Sequence, residues 1–355
     1  MTRSRGLGCA ALLLVVGCSD EGELAGELQV EPKPATLAFA GDAMLGRGFN
    51  TLFAENPDYV AWRGTQPALR GVDILAFNLE TTITDAEDLW EGKNYQFKLS
   101  PDLASAALGA VLEDNGVPAA FASTANNHAL DYLVPGLLDT LTALDGFGLP
   151  HAGTGPDAQT AQAPTIVEAS GGARIAFFAA SSVCSCGDLS LWSAGPNAPG
   201  AWMIESHDDA GWEAAAKAVR ETAPTVDYVV FSLHWGGNYT ETWPVSWMQA
   251  RGHALVAAGV DVIYGHSAHH VLPIERVGNS LILYGTGDFL DDYSAVDGFR
   301  NDLSYIGRVS LSADRPPELT VIPMRLEHED GHYGAALAES DPDFARVIDA
   351  TVALH

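Results

Sequence analysis

Basic residues are scarce in this sequence of 355 residues. It has 18 lysines and arginines against 46 aspartates and glutamates, a formal net charge of −28. A field of that sign repels phosphate at long range, which argues against nucleic acid or an anionic membrane face as a partner. A locally positive site, such as a bound metal, could still attract an anion. With 47% hydrophobic and 18% charged residues, the composition predicts a globular protein that buries about three-quarters of its unfolded surface.

The apolar run near the N-terminus is too short to cross a bilayer as a helix. Leu7 to Val16 follows Arg3 and Arg5 and ends at Gly17-Cys18. This is typical of a bacterial lipoprotein signal, in which residues 1–17 are removed and Cys18 is acylated; ordinary secretion with a chance cysteine is the alternative. The polar, acidic segment that follows, up to residue 34, predicts a tether. We therefore expect a lipid-anchored protein at the extracytoplasmic face of the cell envelope.

Cysteine is also rare, with four residues. Cys9 belongs to the leader and Cys18 to the lipid anchor, which leaves Cys184 and Cys186 beside Gly187. An exported protein can form disulfides, although so short a ring is strained. Metal binding and a surface pair without function are the other two interpretations.

Strand-like apolar segments alternate with amphipathic helical ones, which predicts an α/β layered fold in one domain, residues 35–355. The predicted strands are Thr36–Ala40, Ile74–Asn78, Ala119–Ser123, Arg174–Ala180, Tyr228–Leu233, Val262–Tyr264, Val271–Glu275, Leu281–Tyr284, Gly307–Leu311 and Leu319–Met324. The predicted helices are Asp102–Asn115, with Ser100 as its cap and Pro101 at its first position, Val134–Asp145, Asp208–Ala223 and Val245–Ala258.

Polar residues follow five of the buried strands. They are Asp42, Glu80, Asn126-Asn127-His128, His234 and the group His266, His269 and His270. Each alone could be a turn former, a cap or a half-buried histidine. The carboxyl ends of the strands in an open α/β sheet form the crevice where ligands bind. Carboxylates, an amide and imidazoles together predict a metal site for Mn, Fe or Zn, rather than an all-oxygen calcium site or a thiolate zinc site.

The order of several motifs resembles the CapA family of bacterial capsule-synthesis proteins (poly-γ-glutamate synthesis, PGA-cap type), from about Leu37 to Met324. That family is similar in fold to the calcineurin-like metallophosphoesterases. The motifs are G-D-A-M-L from Gly41, N-L-E from Asn78, A-N-N-H-A-L-D-Y from Ala125, G-T-G from Gly153, H-W-G from His234, G-H-S-A-H-H from Gly265 and Y-G-T-G-D-F from Tyr284.

The resemblance implies a four-layer α-β-β-α sandwich with two central mixed sheets and a site for one or two divalent ions at one edge. The implied metal ligands are Asp42, Glu80, Asn127, His234, His266 and His269, and Glu80 would bridge two ions if both were present. His128 matches the acid that assists the leaving group. Asp131 is a candidate to orient that ring, or a helix-start carboxylate. Arg47 is a candidate to bind a substrate carboxylate or phosphate, or a surface arginine.

The sequence departs from the phosphoesterase pattern at two positions. Met44 replaces the histidine of Asp-x-His, which puts the first metal of a two-metal site in question. Glu80 stands where those enzymes have an aspartate. The histidine motif also follows a G-H-S-x-H-H branch rather than the G-H-H-P-H-V form that is frequent among CapA relatives.

Three functions follow from this pattern. The first is a metal-dependent hydrolase or transferase that acts outside the cytoplasm on an anionic polymer, such as a γ-glutamyl chain, in capsule or cell-envelope biosynthesis. The second is a non-catalytic scaffold of a membrane complex for polymer synthesis or export, which the Met44 departure favours. The third is a plain metallophosphoesterase, for which the sequence offers neither basic residues nor a second phosphate motif.

Overall fold

The computed structural model describes residues 31–109, 116–239, 244–293, 296, 298–329, 332–337 and 345. Residues 32–355 form one compact unit. The predicted leader, Cys18 and most of the predicted tether lie outside the described residues, as does the end of the first predicted helix. Among the described residues, no helix has the length and apolarity needed to cross a membrane.

Eight strands form a first mixed sheet, which is centred on the N-terminal strand β1. The strands are β1 Ala35–Ala43, β2 Ile74–Leu79, β5 Ala119–Ser123, β6 His151–Ala152, β15 Asp288–Leu290, β16 Leu303–Ser312, β17 Arg315–Glu329 and β18 His332–Leu337. β1, β2, β5 and β6 are parallel neighbours, and β15 also pairs with β1 in parallel. On the other side of β1, the strands β16, β17 and β18 continue the sheet in antiparallel order.

Six strands form a second mixed sheet, with a parallel centre and antiparallel edges. They are β8 Thr165–Glu168, β9 Arg174–Ser181, β11 Tyr228–His234, β12 Val262–His266, β13 Val271–Val277 and β14 Ser280–Thr286. Two small ladders join β3 Thr82–Ile83 to β4 Lys98–Leu99 and β7 Thr154–Gly155 to β10 Gly200–Ala201. The helices are α1 Gly48–Glu55, α2 Pro101–Ala104, α3 Leu133–Phe147, α4 Ala158–Gln162, α5 Asp209–Thr222 and α6 Ser246–Ala258.

The central strands are apolar on both faces, as strands of a covered parallel sheet must be. Alternate side chains of one strand therefore enter different hydrophobic clusters. Leu37 and Phe39 of β1 pack with residues of the second sheet, whereas Ala38 and Ala40 pack on the opposite face, beside α1. In β9, Phe177 stacks on Phe121 of the first sheet. The next residue, Phe178, points to the other face and packs in the cluster that contains residues of α5 and α6. The three larger clusters of the core are separated in this way, and one of them lies between the two sheets. A smaller fourth cluster contains Ala129, Leu130, Leu137 and Trp192.

The structure confirms the mixed α/β class and places a strand or helix at every segment predicted to hold one. Strand β1 is longer than predicted because it continues through a register irregularity between Phe39 and Asp42 and ends at Ala43. Asp42 therefore lies inside a strand, and His234 and His266 are the last residues of theirs. The helix predicted from Asp102 begins at Pro101 as α2, without a side-chain hydrogen bond from its cap Ser100, and continues as a π-type turn over Ser105–Gly109.

Two glycines allow the strands to approach closely just before these site residues. A Cβ on Gly41 would lie 1.8 Å from the carbonyl oxygen of Gly287, and one on Gly265 would lie 2.3 Å from that of Tyr284. Both distances are far below any real Cβ contact, so a larger residue at either position would push the strands apart. The glycine of the Gly41-Asp42 pair and the glycine of the Gly265-His266 pair are therefore needed for the close approach of the strands.

Candidate metal centre

The register of the two sheets sets the polar residues at the strand ends side by side. In the first sheet Asp42 is opposite both Asn78 of β2 and Asp288 of β15. In the second sheet His234 is opposite His266. Within each sheet these strands run in parallel, so their carboxyl ends lie at one edge of that sheet. The 3.6 Å between Asp42 Oδ1 and His266 Nδ1 shows that the two edges meet.

The carboxylate of Asp42 lies at the centre of this polar cluster. Its Oδ1 accepts a hydrogen bond from Nδ2 of Asn78 at 2.7 Å, and its Oδ2 accepts one from the backbone N–H of Ser267 at 3.1 Å. Oδ1 lies 3.6 Å from Nδ1 of His266, and Oδ2 lies 3.9 Å from Nδ1 of His269. Asp42 is fully buried, and it links the first sheet to the loop that follows β12.

The two imidazoles of the second sheet face each other through their Nδ1 atoms. His234 Nδ1 lies 2.9 Å from His266 Nδ1. Nε2 of His266 contacts Oγ of Ser232 at 2.8 Å, and Nε2 of His234 lies 2.9 Å from Oδ1 of Asn127. An amide oxygen accepts hydrogen bonds, so Nε2 of His234 donates and its Nδ1 presents a lone pair toward His266.

A third imidazole belongs to a second set of ligands. Nδ1 of His269 contacts Oδ1 of Asp288 at 2.6 Å. His269 has a φ of 58° and Ser267 a φ of 98°, so the loop after β12 holds non-glycine residues in the left-handed region. Backbone strain of this kind clusters at functional sites, where the surrounding structure maintains it.

Two groups of three side chains that could hold a metal ion result, and they share Asp42. One group is Asp42, His234 and His266, and the other is Asp42, His269 and Asp288; within each group the ligand atoms lie within 4.8 Å of one another. All five residues are buried. Four of them were predicted as ligands, and Asp288 was not.

Glu80 and Asn127, the other two predicted ligands, adjoin the first group. Oε2 of Glu80 accepts a hydrogen bond from Nδ2 of Asn78 at 3.0 Å. Its Oε1 lies 3.9 Å from Nε2 of His234 and 3.8 Å from Nε2 of His128, and it has no hydrogen-bond partner among the described residues. The side chain of Asn127 reaches the cluster through His234 and also contacts Oγ of Ser185 at 3.5 Å.

Burial moves the proton affinities in this cluster away from their ordinary values. Desolvation, reinforced by the charge of Asp42, raises the pKa of Glu80 and that of Asp288 well above normal. Desolvation lowers the pKa of His266 to about 4 and also lowers that of His234, next to the other imidazoles. Neutral imidazoles are the form that binds metals, and a cation would offset the cost of ionising the buried carboxylates.

His128 and Asp131, predicted as catalytic residues, are in contact with each other. Nδ1 of His128 lies 2.6 Å from Oδ2 of Asp131, which also accepts the backbone N–H of Phe97 at 2.6 Å. The buried ammonium of Lys93 contacts the other carboxylate oxygen of Asp131, the carbonyl oxygen of Asn127 and, at 3.2 Å, Nδ1 of His128. Burial, followed in size by opposing effects of Asp131 and Lys93, lowers the pKa of His128 to about 4.

Three residues of the site were missed by sequence reasoning. Asn78 occurs in the N-L-E motif, and Asp288 repeats the Gly-Asp pattern of Asp42 at the end of a further strand, so both had a signal in the sequence. Lys93 lies in a loop between β3 and β4, and no pattern in the sequence marks it. Met44, at the position of the phosphoesterase histidine, is buried, and its backbone N–H donates to the carbonyl oxygen of Leu290.

Cys184 and Cys186 form a disulfide. Of the three sequence interpretations, the structure therefore supports the disulfide and not a metal role for these two thiols. The short loop that they close carries Ser185, whose hydroxyl contacts the amide of Asn127.

The donor atoms fit a divalent first-row metal. The 2.9 Å between the Nδ1 atoms of His234 and His266 is close to the roughly 3.3 Å expected between two nitrogens that bind one ion at about 2.0–2.1 Å. Glu80 Oε1 and Asp288 Oδ2 are buried acceptors without a hydrogen-bond partner among the described residues, an arrangement that a cation would satisfy. Carboxylate and imidazole donors suit Mn, Fe or Zn.

Comparison with known proteins identifies the family to which the chain belongs. Residues 36–293 match the family model described as bacterial capsule synthesis protein PGA_cap. A probable polyglutamine synthesis accessory protein of Mycobacterium tuberculosis is 30% identical over 337 residues, which cover 83% of this chain and 84% of that protein.

Two proteins named CapA are also similar. The PGA biosynthesis protein CapA of Bacillus subtilis is 27% identical over 257 residues, covering 72% of this chain and 63% of that protein. The capsule biosynthesis protein CapA of Bacillus anthracis is 27% identical over 298 residues, covering 84% and 69%. The family match spans more than half of the chain and includes every residue of the two ligand groups. The chain therefore belongs to the PGA_cap family of bacterial capsule synthesis proteins, the CapA family.

Proposed function

We propose that this CapA-family protein is a lipid-anchored, metal-dependent hydrolase or transferase. It would act at the extracytoplasmic face of the cell envelope, on an anionic polymer of capsule or envelope biosynthesis. The observation that carries the catalytic part is the pair of buried ligand groups that share Asp42. A scaffold has no need to bury several carboxylates side by side, because each costs free energy unless a cation or a proton neutralises it.

The arrangement of the core supports the four-layer sandwich that the family resemblance implies. One hydrophobic cluster lies between the two sheets, a second lies between the first sheet and α1, and a third lies between the second sheet and the helices α5 and α6. Helices outside two facing sheets are the layer order of the metallophosphatase type.

The chain would hold metal through two groups of side chains. Asp42, His234 and His266 would form one, next to Glu80 and Asn127, and Asp42, His269 and Asp288 would form the other. A divalent ion bound there would supply Lewis-acid activation of water and of the attacked bond.

His128 is the residue placed to move a proton beside these ligands. Its Nδ1 contacts Asp131, so its other nitrogen, Nε2, points inward and lies 3.8 Å from Oε1 of Glu80. Asp131 in turn is held by the N–H of Phe97 and by Lys93, which fixes the orientation of the ring. Proton transfer at Nε2 to or from the leaving group is typically worth about 10² to 10⁴ in rate.

The first test is the metal content of the purified full-length chain by elemental analysis. One or two equivalents of Mn, Fe or Zn per chain are expected, together with hydrolysis of γ-linked polyglutamate or of a related anionic polymer. Retention of less than about a tenth of an equivalent, after incubation with each of these metals, would contradict the enzyme proposal and favour a non-catalytic scaffold of a polymer synthesis or export complex. Metal-dependent cleavage of simple phosphoesters alone would instead favour a metallophosphoesterase.

Lipid anchoring has an independent test in Cys18. The variant Cys18→Ala lacks the sulfur that would carry the lipid, so we expect it to move from the membrane fraction to the soluble fraction of the cell envelope. Cys184→Ala breaks the Cys184–Cys186 disulfide of the described domain and leaves Cys18 intact, so it serves as the control, with no change of fraction. A Cys18→Ala protein that still sediments with membranes would refute the lipoprotein interpretation.

A further inference from the structure

The disulfide loop, Cys184-Ser185-Cys186, lies at the same sheet edge as the candidate metal centre. It follows the carboxyl end of β9, where Ser181 is opposite His234 of β11. The N–H of Ser182 donates to the carbonyl oxygen of His234 at 2.8 Å. The segment that carries the disulfide is therefore bound to the backbone of a candidate ligand.

This disulfide joins two residues that are only two positions apart in the sequence. The stabilisation of a fold by a disulfide grows with the length of the loop that it closes. A bond across a single intervening residue restricts little of the unfolded chain, so its main effect is local. It fixes the backbone of Ser185 and holds the two sulfurs against their neighbours.

Ser185 connects the disulfide loop to the first group of candidate ligands. Its Oγ lies 3.5 Å from Nδ2 of Asn127, and Oδ1 of the same amide lies 2.9 Å from Nε2 of His234. Because Ser185 is an exposed residue, the closed ring, rather than burial, keeps its hydroxyl at this amide. Opening the ring frees the backbone on both sides of Ser185, and the amide of Asn127 then loses this contact.

The two sulfurs connect the loop to the interior by a second path. Cys184 and Cys186 are partly buried and pack against the fourth cluster of the core, which includes Leu130 and Trp192. The Trp192 ring is fully buried, and its Nε1 has no hydrogen-bond partner among the described residues. Packing therefore holds this ring in place, and the disulfide is part of that packing.

Trp192 packs against the buried cation of the site. The ammonium of Lys93 lies 5.1 Å from the centre of the Trp192 ring, close enough for a cation–π attraction. Lys93 also contacts the carboxylate of Asp131 and, at 3.2 Å, Nδ1 of His128. A shift of the Trp192 ring would therefore displace the cation that helps to orient the proposed proton-transfer residue.

A dissolved thiol can reach the disulfide. Cys184 and Cys186 are half-buried, and Ser185, Gly187 and Asp188 beside them are exposed. A Cβ on Gly187 would meet no heavy atom within 4 Å other than those of its chain neighbours, so the space beside the loop is open. Exposed disulfides are the ones that exchange readily with thiols.

We infer that Cys184–Cys186 is a thiol-exchange site, at which reduction by a dithiol loosens the candidate metal centre. A thiolate of the dithiol attacks one sulfur, the Cys184–Cys186 bond breaks, and a mixed disulfide forms. The second thiol of the reagent then displaces the protein sulfur. The dithiol gives two electrons and ends as a disulfide, while Cys184 and Cys186 end as thiols that carry its two protons. The exchange stands by itself, whereas its effect on metal binding rests on the proposed function.

The first measurement is whether the folded full-length chain is open to this exchange. The chain is incubated with dithiothreitol, alkylated and digested, and mass spectrometry locates the alkylated cysteines. We expect alkylation of Cys184 and Cys186 only after reduction, while the circular dichroism remains that of the folded protein. A disulfide that reacts only after the chain unfolds would overturn the inference.

The second measurement compares Mn²⁺ affinity and hydrogen exchange before and after reduction, with the reagent removed because thiols bind metals. The reduced chain should bind Mn²⁺ about 3- to 10-fold more weakly, since changes to residues that support metal ligands cost about 10- to 100-fold and the loop acts through such residues. The backbone amides of residues 126–131 should exchange faster in the reduced chain. Equal Mn²⁺ affinity and equal hydrogen exchange in the two forms would refute the inference.

Variants separate the open loop from the chemistry of its free thiols. The double variant Cys184→Ser/Cys186→Ser cannot close the ring and has no loop thiolate to bind metal, so it should match the reduced wild type. A response of this variant to the dithiol would contradict the assignment of the exchange site. Ser185→Ala keeps the disulfide and removes only the hydroxyl, so it should lose part of the Mn²⁺ affinity. Ser190→Ala, at an exposed serine of the turn Leu189–Leu191, is the matched control and should bind Mn²⁺ as the wild type does.

Failure of the exchange site differs from failure of the proposed enzyme. Absence of Mn²⁺ binding to the oxidised chain, with faster hydrogen exchange at residues 126–131 after reduction, would reject the metal proposal and sustain the inference. Full Mn²⁺ affinity in both redox forms, with unchanged hydrogen exchange, would sustain the metal centre and reject its link to the disulfide.

Discussion

Acidic residues flank the parallel strands at both ends of the two sheets, and the two ends use them differently. Asp73, Asp227 and Asp261 each stand directly before a strand, at its amino end. Each carboxylate accepts a backbone N–H at the start of a neighbouring strand: Asp73 from Thr36, Asp227 from Arg174 and Asp261 from Val229. These aspartates are partly exposed, and each joins one strand to the next.

At the carboxyl ends the acids instead contact side chains of one common cluster. Asp42, Glu80 and Asp288 are fully buried, close together, and in contact with imidazoles and the amide of Asn78. An acid beside an apolar strand is therefore weak evidence for a site, because the same sequence pattern occurs at both ends. Convergence of several buried acids on shared partners is what distinguishes the candidate site from structural capping.

The largest difference between the two ends should appear in paired variants of Asp42 and Asp73. Asp42→Asn removes a charge that both ligand groups share, so we expect metal affinity to fall by at least about 100-fold, since even changes to the residues that support metal ligands cost 10- to 100-fold. Asp73→Asn should keep full metal affinity and lose about 1 kcal/mol of unfolding free energy, because it weakens a hydrogen bond to Thr36. Metal titration and denaturant unfolding of both variants measure these effects. Equal metal loss in the two would mean that net charge, and not convergence, controls binding.

The variant His266→Ala is expected to lose part of the bound metal, a smaller loss than in Asp42→Asn. His266 belongs to the first ligand group alone, so the variant should stay folded and lose the ion of that group while the second group remains. His253→Ala is the control, since His253 is an exposed residue of α6 that contacts Glu275 at 2.9 Å. Elemental analysis of both purified variants measures the metal bound per chain. Unchanged metal content in His266→Ala would reject its assignment as a ligand.

The smallest expected effect is on the free energy of unfolding, and it depends on the pH. It concerns Asp261, at the amino end of β12. Burial raises the pKa of Asp261 to about 6, against an opposing hydrogen bond from the N–H of Val229. The folded protein thus binds this proton more tightly than the unfolded chain, whose aspartates titrate near 3.9. The stability that it contributes is present below about pH 4 and is lost as the pH rises to about 6.

Asp261→Asn removes this titration. Relative to the wild type, the variant should gain on the order of 1–2 kcal/mol of unfolding free energy between pH 4 and pH 6.5, after allowance for the partial exposure of the side chain. Unfolding by denaturant at a series of pH values measures the difference, and metal content should not change. A difference that stays constant over this range would show that Asp261 does not titrate there.

Most of the elements and much of the candidate site could be predicted because their signals are local. Apolar runs such as Ile74–Leu79 mark strands covered on both faces, and the polar residues that follow them mark the ligand edge. The predicted ligands Asp42, His234, His266 and His269 all lie in the two groups that the structure brings together. The register irregularity in β1 had no local signal, because it depends on how β1 pairs with β2.

Asp288, Lys93 and the aromatic enclosure of Arg47 show where prediction from the sequence ended. Asp288 enters the site because β15 pairs with β1, far away in the chain. Lys93 is recognisable as a site residue only through its contacts with Asp131 and the carbonyl oxygen of Asn127. The centres of three aromatic rings lie 5.1–5.6 Å from the guanidinium of Arg47, and they come from two separate segments, one with Tyr95 and Phe97 and one with Tyr293.

The sequence by itself thus determined the α/β class, the order of the strands along the chain, the family and most of the side chains of the candidate metal centre, since hydrophobic periodicity and short motifs are properties of neighbouring residues. The tertiary structure decided which of the acids face one another and which merely accept a backbone N–H. It also decided that the candidate ligands fall into two groups with Asp42 in common, and that Arg47, whose side chain is 36% exposed, lies near them. The physical reason is that the packing of one sheet on the other sets the distances between charges, and those distances control both the pKa values and the capacity to bind a metal or an anion.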